Sequence, residues 1–155
     1  MRRAARVAVA RGVRVWSPPL AELTAWIRAA LGRRADGGEL VLRVVGAAES
    51  RRLNARFRGR DAPTNVLSFP AAQLPAARAR GPRPLGDLVI CARLLASEAR
   101  AQGKTLRAHW AHLVVHGALH LIGYDHEVAR DARRMERREV AVLRHLGFAN
   151  PYRSA

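Results

Sequence analysis

Hydrophobic and polar residues follow two different periods along this chain. Alternating or short continuous apolar stretches, which are typical of β-strands, occupy residues 5–16, 39–46, 65–70 and 86–92. Helical spacing of apolar residues, with its start and stop signals, predicts helices at residues 20–31, 47–59, 93–102, 105–121 and 128–146. On the second of these helices, Leu53 and Phe57 are expected to face inward. Strands and helices therefore alternate in the first part of the chain, and the last part is helical.

This order of elements predicts one α+β domain. The helical half follows a strand, a helix, a second strand, a second helix and two further strands. We therefore expect a small, mostly parallel mixed sheet of about four strands packed with about five helices. The 155 residues are enough for a single hydrophobic core, and the domain is expected to span residues 1–155. Residues 71–84 are rich in Pro, Ala and Arg without periodicity, which predicts a mobile basic loop inside the domain.

Composition argues against several classes of protein. Apolar residues make up 49% of the chain, which favours a folded domain, and no apolar run reaches the ~18 residues that a membrane span needs. The Arg-rich start of the chain alternates like a strand and does not resemble a signal peptide. The single cysteine, Cys91, permits neither an internal disulfide nor a cysteine-based zinc site, and it indicates a reducing cytosol.

The chain carries a large positive charge. Lysine and arginine number 28 against 12 acidic residues, which gives a formal net charge of +16. A GC-rich genome would explain the preference for arginine over lysine, but it would not explain the excess of positive charge. A field of this sign attracts polyanions, and nucleic acid is the natural candidate; attachment to ribosomes or a generally adhesive surface are the alternatives.

Four of the six histidines lie on one predicted helix. His109, His112, His116 and His120 are spaced three, four and four residues apart. At about 100° per residue, this spacing places all four side chains on one face of the helix.

The segment HGALHLIGYDH, residues 116–126, has the spacing of a zinc site. His116 and His120 lie about one helical turn apart, Gly123 permits a sharp turn of the backbone, and His126 then returns as a third ligand. Three imidazoles leave one position open for water, which is typical of catalytic zinc that acidifies the water and polarises a carbonyl or phosphoryl oxygen. The simpler alternative is a helix whose histidines are only hydrogen-bonded.

Gly117 separates this segment from the zinc proteases that it otherwise matches. Those enzymes carry a glutamate directly after the first histidine, and the glutamate takes a proton from the attacking water. Glycine has no group that can do so. Peptide hydrolysis is therefore disfavoured, whereas a phosphodiester can still be attacked with charge stabilisation from a metal and from cationic side chains.

The same segment and its flanks resemble the YbeY family of metal-dependent endoribonucleases. The resemblance rests on five motifs: LNARFRGRDAPTNVLSFP (53–70), LGDLVIC (85–91), HWAHLVVHGALHLIGYDH (109–126), MERRE (135–139) and LGFANPY (146–152). They span residues 53–152, whereas the first third of the chain follows only the general layout of the family. The long histidine motif is highly specific.

The resemblance implies a single α+β domain that binds one zinc ion per chain on His116, His120 and His126. It also implies cleavage of single-stranded RNA, a role in the processing and maturation of ribosomal RNA and in ribosome quality control, and a location in the bacterial cytoplasm. The expected partners are RNA and a ribosomal subunit or ribosome-associated proteins. Neither a membrane nor an organic cofactor is expected.

By the same resemblance, the family's functionally important arginine falls on Arg58. A guanidinium there can hold a phosphate with two hydrogen bonds or neutralise the charge of the transition state. Arg60 is close enough in sequence to take the same part. Thr64 and Asn65 either shape the loop through hydrogen bonds to the backbone or contact an RNA ribose or base.

Several other polar residues have more than one interpretation. His112 is a candidate for orienting a metal ligand or for binding substrate, unless it merely continues the histidine face. Asp125 is a candidate carboxylate for holding an imidazole tautomer, and Asp87 either orients a histidine or caps a turn. Glu136 and Glu139 are expected to pair with arginines on a solvated helix.

Three functions fit these observations. The leading hypothesis is metal-assisted RNA hydrolysis, in which either water or the RNA's own 2′-hydroxyl attacks the phosphate. The second is a non-catalytic zinc-containing factor that binds ribosomal RNA or ribosomes during assembly. The third is a metal-dependent peptidase whose base has moved elsewhere.

Overall fold

The computed structural model describes residues 3–75, 83–125 and 127–153. Its strands are β1 (Arg6–Arg11), β2 (Glu39–Val45), β3 (Val66–Pro70) and β4 (Pro84–Cys91). They form one sheet in the order β1-β2-β4-β3. β1, β2 and β4 run parallel, and β3 pairs with β4 in the antiparallel direction. The expected mostly parallel mixed sheet is confirmed.

The described ranges contain five α-helices. They are α1 (Leu20–Leu31), α2 (Ala47–Arg58), α3 (Ala92–Gln102), α4 (Leu106–Leu121) and α5 (Ala129–His145). Each begins and ends within about two residues of the predicted bounds, the usual uncertainty of helix ends. The expected single α+β domain with five helices is confirmed. Within the described ranges, none of the helices combines the length and apolar character needed to cross a membrane.

Helix α4 forms the centre of the main core. Apolar residues occur nearly all round it, as expected of a helix that is buried on several sides, and Trp110, Val114 and Ala118 are fully buried. It packs against α1, α3, α5 and β3. The side chain of Thr105 caps its first turn by accepting a hydrogen bond from the backbone N–H of Ala108 at 3.1 Å. The histidine face of α4 is thereby held on a rigid, well-packed element.

The opposite face of the sheet carries a smaller apolar cluster. Val45, Leu67, Phe69 and Val89 form it, and Leu53 from α2 packs against it, as predicted. The prediction for Phe57 was wrong, because its side chain is 45% exposed. Its ring lies edge-on to that of Phe69, with 5.3 Å between the centroids, at the rim of the cluster.

Two predicted boundaries differ from the structure. The first strand ends at Arg11 instead of continuing to residue 16: the backbone N–H of Gly12 still donates to the carbonyl of Val44 on β2, and residues 13–15 then form a bend. Val13 and Val15 still pack against the main core, which explains the misleading alternation. Of the predicted loop 71–84, Ala71–Gln73 forms a short 3-10 helix and Pro84 begins β4, while residues 76–82 lie outside the described residues.

Candidate metal centre

The four histidines of α4 lie along one face, as their spacing predicts. The ring centroids of His109 and His112 are 6.2 Å apart, those of His112 and His116 are 6.3 Å apart, and those of His116 and His120 are 4.7 Å apart. His109 is buried, and the other three are partly exposed. The row therefore leads from the interior to an accessible pair at the C-terminal end of the helix.

His116 and His120 face each other at this end of α4. Their Nε2 atoms lie 3.2 Å apart. His116 Nδ1 donates to Glu139 Oε1 at 2.5 Å, and His120 Nδ1 donates to the carbonyl oxygen of Tyr124 at 3.0 Å. Both acceptors are oxygens that cannot donate, so in the neutral form of either ring the proton lies on Nδ1 and the lone pair on Nε2.

This arrangement fits a metal ion. Two nitrogen lone pairs that face each other repel unless a cation lies beside them. Zinc binds neutral imidazole nitrogen at about 2.0–2.1 Å, so two nitrogens on one tetrahedral ion are separated by roughly 3.3 Å. The 3.2 Å between the Nε2 atoms of His116 and His120 is close to that separation.

The backbone turn after α4 also follows the prediction. Gly123 has a φ of +100°, a conformation that favours glycine, and its N–H donates to the carbonyl of His120 at 3.1 Å. His126 lies outside the described residues, so its place as the third ligand stays a prediction.

Glu139, on α5, completes the surroundings of His116. The side chain is fully buried, which contradicts the expectation of a solvated glutamate paired with arginine. Its carboxylate accepts hydrogen bonds from His116, from His112 Nε2 at 3.2 Å and from the hydroxyl of Tyr152. Burial alone raises the pKa of Glu139, but the hydrogen bonds from His112, His116 and Tyr152 and the electrostatic attraction to the His116 ring outweigh it and leave that pKa at about 2.

The sequence held a signal for this buried glutamate. Glu139 follows Met135 by four residues and precedes Val142 and Leu143 by three and four, and all three of these residues are buried. The spacing places Glu139 on the apolar face of α5. A charged residue on such a face indicates a specific partner rather than a solvated pair.

His112, His116 and Glu139 also form a group that could itself hold a metal. Their ligand atoms all lie within 4.8 Å of one another. The hydrogen bonds from both imidazoles to the carboxylate account for this closeness. We therefore interpret the group as the support of the site and the His116–His120 pair as its metal-binding part.

A second carboxylate supports the other end of the histidine row. Glu98, on α3, accepts a hydrogen bond from His109 Nε2 at 2.9 Å. It also lies within 3.3 and 3.2 Å of Asn65 Nδ2, while Asn65 Oδ1 accepts from the backbone N–H of Val66. Burial lowers the pKa of His109, and this effect outweighs the opposing effect of Glu98. The lowered pKa favours the neutral ring. The structure thus fixes the amide of Asn65 from both ends.

The predicted arginine opens onto the same space as the histidine pair. A cavity of about 420 Å³ is lined by Arg58, Asn65, Ser68, His116 and His120, among others. Arg58 is exposed at the end of α2, where its Nη2 donates to the carbonyl of Ser68 at 2.8 Å. Its guanidinium carbon lies 5.2 Å from the centre of the Phe69 ring, a cation–π contact.

Three other predicted substrate-binding residues do not line this cavity. Arg60 is exposed just beyond α2 and is not among the residues that line this cavity. Thr64 is held through its backbone, which donates to and accepts from the hydroxyl of Ser50 at 2.9 Å each. His112 supports Glu139 and lines a separate cavity of about 620 Å³ together with Tyr152.

The two predicted supporting aspartates lie on different elements, Asp87 on β4 and Asp125 in the turn after α4. Asp87 and Leu88 are neighbours on β4, so their side chains point to opposite faces of the sheet. Leu88 faces Gly117 on α4. Asp87 lines a groove on the other side of the sheet, together with Phe57. Asp125 follows the turn after α4, and its Oδ1 accepts from the backbone N–H of Glu127 at 3.2 Å. The position of Asp87 leaves it out of the function proposed below.

Gly117 packs directly against the sheet. A Cβ atom there would lie 2.9 Å from Leu88 Cδ2 and 3.2 Å from Val66 Cγ2. The position at which zinc proteases carry their glutamate therefore points into the contact between α4 and the sheet. Among the described residues that line the cavity there is no carboxylate.

The fold and the site together define a class of protein. It is an α+β domain in which two histidines arranged for a metal share a cleft with an arginine. The chain belongs to the YbeY family of endoribonucleases: the family described as Endoribonuclease YbeY matches residues 19–147. The resemblance found in the sequence motifs is thereby confirmed.

Individual relatives agree with this assignment. A protein of Halorhodospira halophila named Endoribonuclease YbeY is 49% identical over 136 residues, which cover 88% of this chain and 88% of the relative. A protein of the same name from Alkalilimnicola ehrlichii is 54% identical over 138 residues, which cover 88% and 82% of the two chains. The solution structure of TM1509 from Thermotoga maritima matches with a TM-score of 0.53 and 22% identity, covering 97% of this chain and 99% of that one. At this identity the structural likeness supports the fold alone.

Proposed function

We propose that this chain is a zinc-dependent endoribonuclease that cleaves single-stranded RNA in the processing and maturation of ribosomal RNA and in ribosome quality control. Membership of the endoribonuclease family supports an RNA-cleaving hydrolase. The observation that carries the proposal is the 420 Å³ cavity, because His116, His120 and Arg58 all line it. A metal-binding pair and a phosphate-binding group would thus act on one bound substrate.

His116, His120 and His126 would hold one zinc ion per chain. The first two present their Nε2 lone pairs toward each other, as described above. Bound zinc supplies a Lewis acid that polarises a phosphoryl oxygen and lowers the pKa of water. Because all three ligands would be neutral, they would leave the positive charge of the site available to attract a phosphate.

Arg58 would bind the scissile phosphate and stabilise its developing charge. Two of its five N–H groups donate to the carbonyls of Phe57 and Ser68, at 3.1 and 2.8 Å, which fixes the plane of the guanidinium. The remaining N–H groups of the planar guanidinium can donate hydrogen bonds to two oxygens of a phosphate. Held in advance, these donors need little reorganisation when negative charge develops on the phosphate.

Asn65 would orient the RNA strand in the cavity. Its amide is fixed by Glu98 and by the backbone of Val66, so it presents a constant edge to the cavity that it lines. A side-chain amide can contact a ribose hydroxyl or the edge of an unpaired base. Asn65 is therefore assigned to positioning, with no part in proton transfer.

The proposed substrate and partners agree with the charge of the chain. A net charge of +16 favours the phosphate backbone of RNA. Unpaired RNA can place a single splayed nucleotide in a cavity of about 420 Å³, whereas bases within a duplex stay stacked and paired. We accordingly propose ribosomal RNA as substrate and a ribosomal subunit or its associated proteins as partners, in the bacterial cytoplasm.

The test compares the metal content and RNA cleavage of the wild type with those of two histidine variants. His116→Ala should lose zinc and cleavage together. His145→Ala, which removes an exposed histidine of α5, should leave both unchanged. Cleavage that persists in His116→Ala would contradict the zinc mechanism. A wild type that binds zinc and single-stranded RNA without cleaving it would instead favour the non-catalytic ribosome assembly factor.

A further inference from the structure

Glu139 is a buried charge on an otherwise apolar helix face. It is fully buried, and the other buried residues of α5 are Met135, Val142 and Leu143. A buried carboxylate costs free energy unless hydrogen bonds replace its lost hydration. Its presence at this position therefore requires strong partners, and those partners indicate its purpose.

Both carboxylate oxygens of Glu139 accept hydrogen bonds from the surroundings of the metal site. Oε1 accepts from His116 Nδ1 at 2.5 Å. Oε2 accepts from His112 Nε2 at 3.2 Å and from the hydroxyl of Tyr152. One oxygen thus faces the proposed ligand, and the other is anchored by a histidine one turn earlier and by the C-terminal segment.

The bond to Oε1 determines how His116 can bind a metal. A neutral imidazole has one N–H and one lone pair, and a carboxylate can only accept, so the proton must lie on Nδ1. Nε2 then carries the lone pair, and the ring orientation directs it toward His120 Nε2, 3.2 Å away. A ring with the opposite tautomer would direct an N–H where a metal ligand is needed.

We propose that Glu139 is the positioning residue of the metal centre: its buried carboxylate, anchored by His112 and Tyr152, holds His116 in the tautomer and orientation that present Nε2 to the ion. This inference deepens the proposed function and rests on its assignment of His116 as a ligand. Glu139 contacts neither the substrate nor the ion in this role. It acts only through His116.

The anchor gives the C-terminal segment a function at the metal site. Tyr152 lies beyond the end of α5 and is 46% exposed, yet its hydroxyl reaches the buried Oε2 of Glu139. His112 reaches the same oxygen from α4. Oε2 is therefore held from both sides, which leaves Oε1 in a fixed position toward His116.

The first measurement is zinc affinity, determined by competition with a chromogenic chelator. Glu139→Gln keeps the shape of the side chain but removes its charge and one acceptor, and it should weaken zinc binding by about 10- to 100-fold. Tyr152→Phe, which releases only the anchor, should weaken it by less. Glu136→Gln makes the same change at an exposed position of α5 and should match the wild type.

The second measurement is the tautomer of His116 in metal-free protein, from the ¹⁵N chemical shifts of its ring. The wild type should carry the proton on Nδ1, and Glu139→Gln should shift His116 toward the other tautomer. A merely structural role of Glu139 would leave this signature unchanged in a folded variant.

The outcomes separate this inference from the proposed function. A folded Glu139→Gln protein with wild-type zinc affinity and an unchanged His116 tautomer would overturn the positioning role. If that variant does not fold, a wild-type His116 ring that carries its proton on Nε2 would overturn it equally. A wild type that binds no zinc would contradict the proposed metal site. The tautomer measurement would still decide whether Glu139 determines the tautomer of the His116 ring.

Discussion

The hydroxyl of Ser68 donates to the backbone carbonyl of Gly117 at 3.1 Å, which joins β3 to α4 at the centre of the site. This bond, together with the contact of Gly117 with Val66 and Leu88, brings the helix backbone close to the sheet. Packing therefore leaves little space for a side chain at position 117. The histidine spacing of a zinc protease is retained here on a helix that has no room for the protease glutamate.

Restoring that glutamate should damage the fold without creating a peptidase. Gly117→Glu would force a carboxylate between α4 and the sheet, and a destabilisation of roughly 3 kcal/mol or more is expected. Gly117→Ala is the control for size: it must displace Leu88 but gains about 1 kcal/mol of helix propensity, so it should lose less stability. Thermal unfolding measures both. A folded Gly117→Glu protein with peptidase activity would refute this explanation.

Arg58→Ala should slow RNA cleavage by about 10²- to 10³-fold, because a donor aimed at the developing phosphate charge is lost. Zinc content should stay at the wild-type level, and Arg58→Lys should recover only part of the rate, since it keeps the charge without the planar fork. Arg52→Ala, an exposed arginine of α2 that lines a different cavity, is the matched control. If the cleavage rate falls equally in the Arg58 and Arg52 variants, Arg58 acts only through the general positive charge of the surface, and its specific role is contradicted.

Acid should destabilise the metal-free protein through Glu139. The pKa of this carboxyl is about 2 in the folded protein, against 4.5 for the unfolded chain. Between these values the unfolded chain binds a proton that the folded protein does not, so stability falls as the pH decreases from about 4.5 to about 2, by on the order of 3 kcal/mol. Denaturant unfolding across this range should show a shallower loss for Glu139→Gln. The same acid dependence in that variant and in the wild type would show that Glu139 is not responsible.

The loop before β3 depends on Ser50 more than on the side chain of Thr64. The hydroxyl of Ser50 is buried and satisfies both the N–H and the carbonyl of Thr64. Ser50→Ala should therefore cost about 1–3 kcal/mol in unfolding free energy, whereas Thr64→Ala should stay within about 0.5 kcal/mol. If Thr64 contacts RNA, its variant should lower RNA affinity at unchanged stability. A larger loss of stability in Thr64→Ala than in Ser50→Ala would contradict this account of the loop.

Much of the fold could be predicted because its signals are local. The period of the apolar residues predicted the five helices and four strands that the described ranges contain, and Gly123 marked the turn after α4. The histidine face followed from spacing alone, because residues three and four apart share a helix face. The early end of β1 could not be predicted, since Val13 and Val15 keep the apolar alternation outside the sheet.

The surroundings of the site were harder to predict because they depend on contacts between distant elements. Glu139 lies 23 positions after His116, and Glu98 lies 33 positions after Asn65, so no local pattern links them. Asp87 was expected either to orient a histidine or to cap a turn, but the alternation of β4 directs it to the other face of the sheet. The burial of Glu139 was nevertheless detectable from its position on the apolar face of α5.

In the proposed mechanism, one zinc ion held by the histidines of this cleft makes the protein an endoribonuclease. The most direct measurement removes all metal and then follows cleavage of single-stranded RNA while zinc is titrated back. We expect no cleavage without metal and a rise that stops at one equivalent of zinc per chain, with no such rise in His116→Ala. Metal-free protein that cleaves RNA as fast as zinc-loaded protein would contradict the claim.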